Sequence, residues 1–174
     1  MTQKARALKA KSEKIKDDFL VAIRLRGTVG LDPNTKETFN SLNLPRKYNA
    51  VFLQKRPEID GMLKKVKDFI TWGEINKESM EMVLKKRGRL AGDKKITNEF
   101  VKEKLRLNSI EEVTKALWDT KMTLKHLRDV GVKPVFRLHP PKGGFKKSTK
   151  RAYKSGGELG YRQDNINELL KKMA

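Results

Sequence analysis

The stretch from Leu20 to Ile75 alternates strand-like and helix-like segments, and this alternation limits the chain to few folds. The residue patterns predict strands over 20–26, over 48–54 and from about Ile70 to Ile75. A short helix is predicted to end before Pro45, and apolar residues at helical spacing from Ile59 predict a second one. Because the linkers are short, the two helices must cover one face of a small sheet.

The first strand alternates in character. Val21, Ile23 and Leu25 predict a core face, whereas Arg24 and Arg26 predict a basic face on the other side. Two interpretations of this arginine pair stay open at this point, a solvated outer face and a phosphate-binding surface.

Residues 132–138 predict a further strand that adds an edge to this sheet. Between the two sheet segments, Asn76, Thr97 and Ser109 are helix-capping residues ahead of apolar positions, so 77–131 is predicted to be a helical insertion. The predicted fold class is therefore α+β: a ferredoxin-like antiparallel sheet with helices on one face, a helical insertion, and basic N- and C-terminal extensions.

The tract that follows this last strand changes character abruptly. Residues 139–157 contain six lysines and arginines and no carboxylate, together with two prolines and four glycines. Proline stops ladder pairing and glycine weakens regular structure, so we expect an irregular basic arm held out by the folded body.

Positive charge is concentrated in segments of the chain. The formal net charge is +20 from 41 basic and 21 acidic residues, and the runs 1–16, 85–95 and 139–157 supply +16 of it. The basic residues of 85–95 are predicted to lie in a loop. Charge gathered into arms and loops is expected of segments that lie along a phosphate backbone, so the sequence predicts a polyanionic partner.

Catalytic parts are scarce. The sequence has no cysteine, and its two histidines, His126 and His139, lack a metal-binding spacing. Phosphate-cradling glycine motifs are absent too. We therefore predict no catalytic residue, no metal and no cofactor. Without cysteine or an apolar run of the roughly 18 residues that span a bilayer, we expect a cytoplasmic protein that does not enter membranes.

Two aromatic residues, Phe145 and Tyr153, are interspersed among the lysines of the basic arm. Such rings can stack on an unpaired base, which favours folded RNA over uniform duplex DNA. They can equally anchor the arm to the body, and both interpretations stay open. Lysines in glycine-punctuated segments recognise phosphates, so binding by shape is favoured over binding by sequence.

Five stretches of the sequence match a known family when they are taken together and in order. They read IRLRG at 23–27, GMLKKVKDFITWGEI at 61–75, LKKRGRL at 84–90, KPVFRLHPPKGGF at 133–145 and GGELGYRQDNINELLKKM at 156–173. With these stretches the chain resembles the L-thirty family of large-subunit ribosomal proteins, whose eukaryotic member is called L-seven. The short N-terminal arm favours the archaeal type.

The resemblance implies a ferredoxin-like core, no enzymatic activity, and a structural place on large-subunit ribosomal RNA near the 5S RNA, beside neighbouring ribosomal proteins and without homo-oligomer formation. The RNA contacts that it carries over are Arg24, Arg26, Arg46, Lys47, Arg87, Arg89, Arg137, His139, Lys142, Lys146, Lys147 and Arg162. The basic runs and the arm add Lys85, Lys86, Phe145, Lys150 and Arg151. The chain departs from the family at Asp60, where a basic residue is common, and at Tyr161, where Asn is common.

The predicted organisation is a basic N-terminal arm (1–18), a β-α-β-α-β core (19–76), a helical insertion (77–131), a further core strand (132–138), a basic RNA-binding arm (139–163) and a C-terminal helix (164–174). A free-standing RNA chaperone or ribosome-processing factor is the alternative function. An RNA-modifying enzyme is a second one, and it would need a cofactor or metal pocket.

Overall fold

The computed structural model describes residues 19–119 and 121–174, and the predicted N-terminal arm lies outside them. The strands of the described chain are β1 (Phe19–Arg24), β2 (Asn49–Gln54), β3 (Ile70–Glu74), β4 (Val135–Arg137), β5 (Ser148–Ala152) and β6 (Gly157–Tyr161). Its α-helices are α1 (Pro33–Ser41), α2 (Pro57–Lys65), α3 (Lys77–Arg87), α4 (Asn98–Phe100, continued by a π-helical turn over Val101–Leu105), α5 (Ile110–Trp118), α6 (Leu124–Asp129) and α7 (Ile166–Met173).

The six strands form one sheet in the order β4-β2-β1-β3-β6-β5. The pairs β1–β2, β1–β3 and β2–β4 are antiparallel, whereas β6 pairs with β3 and β5 in parallel. The predicted α+β class with a ferredoxin-like, mostly antiparallel sheet is confirmed, and so are the three strands predicted for the core.

Helices α1 and α2 lie together on one face of the sheet, as predicted. Asp32 caps α1 by accepting a hydrogen bond from the Thr35 N–H, and Pro33 occupies the first helical position. Phe39 and Leu63 pack on the sheet residues Leu20 and Ala22. This layer buries the even-numbered side of β1.

The insertion and the C-terminal helix cover the opposite face. Helices α3, α5 and α7 pack against Phe19, Val21 and Ile23 of β1. The predicted capping residues Asn76, Thr97 and Ser109 do begin helices, since each side chain accepts a hydrogen bond from the backbone N–H three residues later. Strand β1 is therefore buried on both sides, and the prediction that it has a basic outer face is wrong.

The expectation of an irregular tract over 139–157 is also wrong, because β5 and the start of β6 lie within it. Glycine serves close packing here. A Cβ on Gly157 would lie 1.9 Å from the Arg151 carbonyl oxygen, and Gly160 has φ +85°, which favours glycine. The glycine-rich composition therefore permits the outer strands of the sheet to form.

Strand β4 is shorter than the predicted 132–138. Proline is confined to strand ends and sheet edges, and Pro134 lacks the N–H that a ladder needs. Just before it the chain turns away, with the Val132 N–H donating to the Leu127 carbonyl over 3.0 Å and the Lys133 N–H donating to the Arg89 carbonyl over 2.8 Å. Only three residues of this segment therefore pair with β2.

Candidate nucleic-acid interface

One end of the sheet gathers several of the basic segments. Strands β1 and β4 end there, and β2 and β3 begin there. The Tyr48 N–H donates to the Arg24 carbonyl over 2.7 Å, and the Leu138 N–H donates to the Tyr48 carbonyl over 3.0 Å. The turn before β2 and the start of the basic tract are thereby fixed side by side.

The C-terminal helix joins the same surface. The last carbonyls of α7 accept two hydrogen bonds from the tract, from the His139 N–H to Met173 and from the Lys142 N–H to Lys172, each over 3.0 Å. These bonds satisfy helix-end carbonyls that otherwise have no intrahelical partner. They also place Lys172 beside Lys142, a neighbour that the sequence did not reveal because Lys172 stands on the polar side of an amphipathic helix.

We call this surface the basic end. It is made of Arg46, Lys47, Arg87, His139, Lys142, Lys146, Lys147 and Lys172. All of them are exposed except Arg87, which is half-buried. The Arg87 Nη1 lies 2.9 Å from His139 Nε2, and because a guanidinium only donates, Nε2 is the acceptor.

Phe145 anchors the tract to the body. Its ring stacks on Tyr48 with the ring centroids 6.5 Å apart, and the Lys47 Nζ lies 4.7 Å from the centre of the Tyr48 ring. Both rings are half-buried. This packing supports the anchoring interpretation of Phe145, while the next two residues, Lys146 and Lys147, are exposed.

Tyr153 is likewise occupied by the protein itself. The Lys147 Nζ lies 5.4 Å from the centre of its ring, and the Arg162 guanidinium carbon lies 4.7 Å from it. A ring with cations of its own chain at its face is poorly placed to stack on a base. The anchoring interpretation is therefore favoured for Tyr153 as well.

Arg24 faces the inside of the protein and does not reach the surface. Its relative exposure is 1%. Its guanidinium donates to four backbone carbonyls, those of Arg26, Leu44, Pro45 and Gly27, over 2.8 to 3.0 Å, and it stacks on the Phe39 ring at 3.9 Å. Burial lowers the pKa of Arg24, yet arginine stays charged inside proteins. Arg24 is therefore a buried structural cation, and its prediction as an RNA contact is corrected.

Arg162 is a second inner cation, with 6% relative exposure. It forms a buried ion pair with the Glu158 carboxylate and donates to Thr71 Oγ1 over 3.0 Å. The other Glu158 oxygen accepts a hydrogen bond from the Lys147 N–H over 3.1 Å. This pair fixes β6 and the basic tract to β3, and Arg162 too is corrected from an RNA contact to a structural cation.

Arg26 is intermediate between the buried arginines and the exposed cations of the basic end. Its side chain is half-buried, donates to the Asp68 carbonyl over 3.1 Å and lies 5.0 Å from the centre of the Phe69 ring. The guanidinium supports the corner before β3 and still reaches solvent beside the basic end.

Asp93 forms salt bridges with two cations next to the basic end, Lys133 and Arg137. Its carboxylate accepts hydrogen bonds from Lys133 over 2.5 Å and from Arg137 over 3.0 Å. The Lys133 hydrogen bond, followed by the charge of Arg137, holds the pKa of Asp93 below its ordinary value. Arg137 remains exposed, so this predicted contact is on the surface although it is paired.

The run 85–95 differs from its predicted loop. Helix α3 continues to Arg87, so Lys85, Lys86 and Arg87 form its last turn, where cations are favoured by the helix dipole. Lys85 bridges Glu111 and Glu81, each at 2.8 Å, and these carboxylates raise its pKa. Lys85 and Lys86 are both exposed, but the charge of Lys85 is balanced by these two carboxylates.

The remaining predicted contacts are spread more widely. Arg89 is half-buried, and its carbonyl accepts the Lys133 N–H. Lys150 and Arg151 are exposed on β5, the outer strand of the sheet. The structure thus brings most of the exposed predicted residues to the basic end and leaves these two on a separate edge.

Within residues 19–119 and 121–174, no group of three or more His, Asp or Glu side chains is arranged to hold a metal ion. Every helix of the same residues is too short or too polar to cross a bilayer.

Fold and charge together define a class: a basic α+β protein whose sheet presents cations from several loops at one end. The model of the protein family described as Ribosomal protein L30p/L7e matches residues 20–70 of this chain. The Large ribosomal subunit protein uL30 of Staphylothermus marinus is 47% identical over 161 residues, which cover 90% of this chain and 98% of the relative. That of Hyperthermus butylicus is 45% identical over 97% of this chain and 98% of the relative.

A third relative, the Large ribosomal subunit protein uL30 of Methanosphaera stadtmanae, is 44% identical over 87% of this chain and 97% of the relative. The chain belongs to the uL30 family, the L30p/L7e family of ribosomal proteins. The resemblance read from the five sequence stretches, including its archaeal type, is confirmed.

Proposed function

We propose that this protein is a structural constituent of the large ribosomal subunit and binds large-subunit ribosomal RNA through the basic end. The observation that carries the proposal is the convergence of three separate chain segments on one surface, fixed by the hydrogen bonds of Tyr48, His139 and Lys142. Exposed cations on flexible side chains neutralise phosphates, and such a surface suits recognition of folded RNA by its shape.

The proposed contacts are the surface cations of the predicted set, together with Lys172. They are Arg26, Arg46, Lys47, Lys86, Arg87, Arg89, Arg137, His139, Lys142, Lys146, Lys147, Lys150, Arg151 and Lys172. Arg24 and Arg162 are excluded because their guanidinium groups are buried. Lys85 is excluded because its exposed ammonium is already balanced by the carboxylates of Glu81 and Glu111. Phe145 and Tyr153 act as anchors.

The proposed surroundings follow from the family. They are large-subunit ribosomal RNA in the neighbourhood of the 5S RNA, and adjoining ribosomal proteins, with no homo-oligomer and no enzymatic role. The division of the chain into a core, a helical insertion and a basic arm belongs to the same proposal, with β5 and β6 carrying part of the arm.

The alternative, a free-standing RNA chaperone or processing factor, makes a different prediction for sedimentation. A structural constituent sediments with the large subunit at low and moderate salt. A free-standing factor stays mostly in the light fractions.

The basic end is tested by the variant Lys142→Ala/Lys146→Ala/Lys147→Ala in titrations against large-subunit ribosomal RNA at several salt concentrations. We expect weaker binding, and a salt slope reduced by about one unit for each phosphate that is no longer neutralised. The matched control is Lys55→Ala/Lys77→Ala/Lys115→Ala, which removes the same charge from exposed positions elsewhere. Equal losses in the two variants would show that total charge, and not this surface, determines binding.

A further inference from the structure

Strand β2 extends beyond its neighbour β4. Strand β4 pairs only with Asn49–Val51, whereas Phe52–Gln54 continue to pair with β1 on the inner side. No strand of the described chain lies along the outer side of Phe52–Gln54. At about 3.4 Å per residue this leaves roughly 10 Å of open sheet edge.

The chain itself cannot extend β4 to close this edge. Pro134 offers no N–H at the first unpaired position, and the segment before it is turned toward α6 by the bond from the Val132 N–H to Leu127. An open edge of this kind is a template for pairing with another chain.

A groove of about 480 Å³ runs along the open edge. Its walls are largely apolar, with Leu124 and Leu127 from α6, Ile59 from α2, and Pro134. Phe136 and Phe52 form part of its floor, with their ring centroids 4.5 Å apart. Because those two rings pack on each other and are buried, they offer no free face on which a base could stack.

The rim of the groove is cationic. Arg56, Lys125, Arg128 and Lys133 line it, and none of its lining residues is Asp or Glu. Lys133 is held by Asp93 and Arg56 by Gln54, while Lys125 and Arg128 are exposed on α6. A ligand that carries carboxylates is the electrostatic complement of this rim.

We propose that the groove binds an extended, acidic peptide segment of a neighbouring protein, which adds a strand to β2 beyond the end of β4. Backbone hydrogen bonds to the open edge supply affinity, alternate apolar side chains fill the groove, and carboxylates on the other side meet the rim. An apolar floor beside backbone groups at peptide spacing suits a protein segment better than a nucleic acid. The proposal does not depend on RNA binding at the basic end.

The probe is an N-acetylated, C-amidated octapeptide that alternates valine and glutamate, titrated into the full-length protein and followed by amide NMR shifts. We expect shifts concentrated at Phe52–Gln54 and along α6. A second octapeptide carries N-methyl groups on every second amide, which removes the donors on one edge and keeps the charge. It should bind about tenfold more weakly, since about two backbone hydrogen bonds are lost.

The rim is tested by Lys125→Glu/Arg128→Glu, which should weaken the octapeptide roughly fivefold or more. The matched control, Lys150→Glu/Lys154→Glu, makes the same charge change at exposed positions near the opposite edge of the sheet and should change the affinity by less than about twofold.

The proposal is overturned if no shifts occur at β2 up to millimolar peptide, if the N-methylated octapeptide binds equally well, or if the rim and control variants have equal effects. Displacement of the octapeptide from the groove by an oligouridylate would assign the groove to RNA and also overturn it. The Lys142→Ala/Lys146→Ala/Lys147→Ala variant should bind RNA more weakly and bind the octapeptide with unchanged affinity. The two proposals can therefore fail separately.

Discussion

The inner arginines and the outer lysines carry the same charge and use it differently. Arg24 and Arg162 direct their donors to carbonyls, a hydroxyl and a carboxylate of the protein. Lys142 and Lys146 extend from the basic end into solvent. The guanidinium has five donors in a fixed plane and suits a site where several acceptors converge, whereas an ammonium on a flexible stem suits a phosphate surface.

The largest expected effect comes from Arg24→Met. The substitution leaves four carbonyls, including those of Leu44 and Pro45, without their donor in a buried site. We expect a loss of about 4 kcal/mol in the free energy of unfolding, measured by urea denaturation. The exposed Arg46→Met is the control and should change it by less than about 0.5 kcal/mol. Similar losses in both variants would remove the distinction between inner and outer cations.

A smaller loss is expected for Glu158→Gln. It leaves the buried Arg162 without its counter-charge, which should cost about 3 kcal/mol in urea denaturation. The double variant Glu158→Leu/Arg162→Met removes both charges and should recover much of this loss. If the double variant loses more free energy of unfolding than Glu158→Gln, the pair stabilises the fold beyond its charge balance.

The smallest effect concerns Asp93, an acid among the outer cations. Its lowered pKa means that it stabilises the fold above its ordinary pKa of about 3.9, and that this stabilisation is lost as the pH falls through the lowered value. The melting temperature of the wild type should therefore fall more steeply than that of Asp93→Asn as the pH is lowered through that range. At neutral pH the variant frees Lys133 and Arg137, so RNA affinity at low salt should rise slightly. If the melting temperatures of the wild type and of Asp93→Asn change in parallel with pH, the pairing of Asp93 with Lys133 and Arg137 is contradicted.

Local patterns predicted the helix starts and the core strands. Asn76, Thr97 and Ser109 work as caps because the cap bond spans only three residues, so its parts are visible together in the sequence. The alternation over 20–26 located β1, since the two-residue period of a strand is also local.

Long-range contacts explain the failures. Whether Arg24 is buried depends on carbonyls about twenty residues away, which the alternation does not show. Strands β5 and β6 were missed because glycine was interpreted as a breaker, while Gly157 is needed for close approach to Arg151. Lys172 joins the candidate interface only through a bond from Lys142, thirty residues earlier in the chain.

The two bonds from the tract to the end of α7 have a practical consequence. They bring Met173 against His139, so any affinity tag fused after Ala174 would emerge at the proposed RNA surface. A purification handle placed there would compete with the nucleic acid or block it. A fusion inserted at the exposed turn around Val29, which has 97% relative exposure, gives a second attachment point against which such interference can be measured.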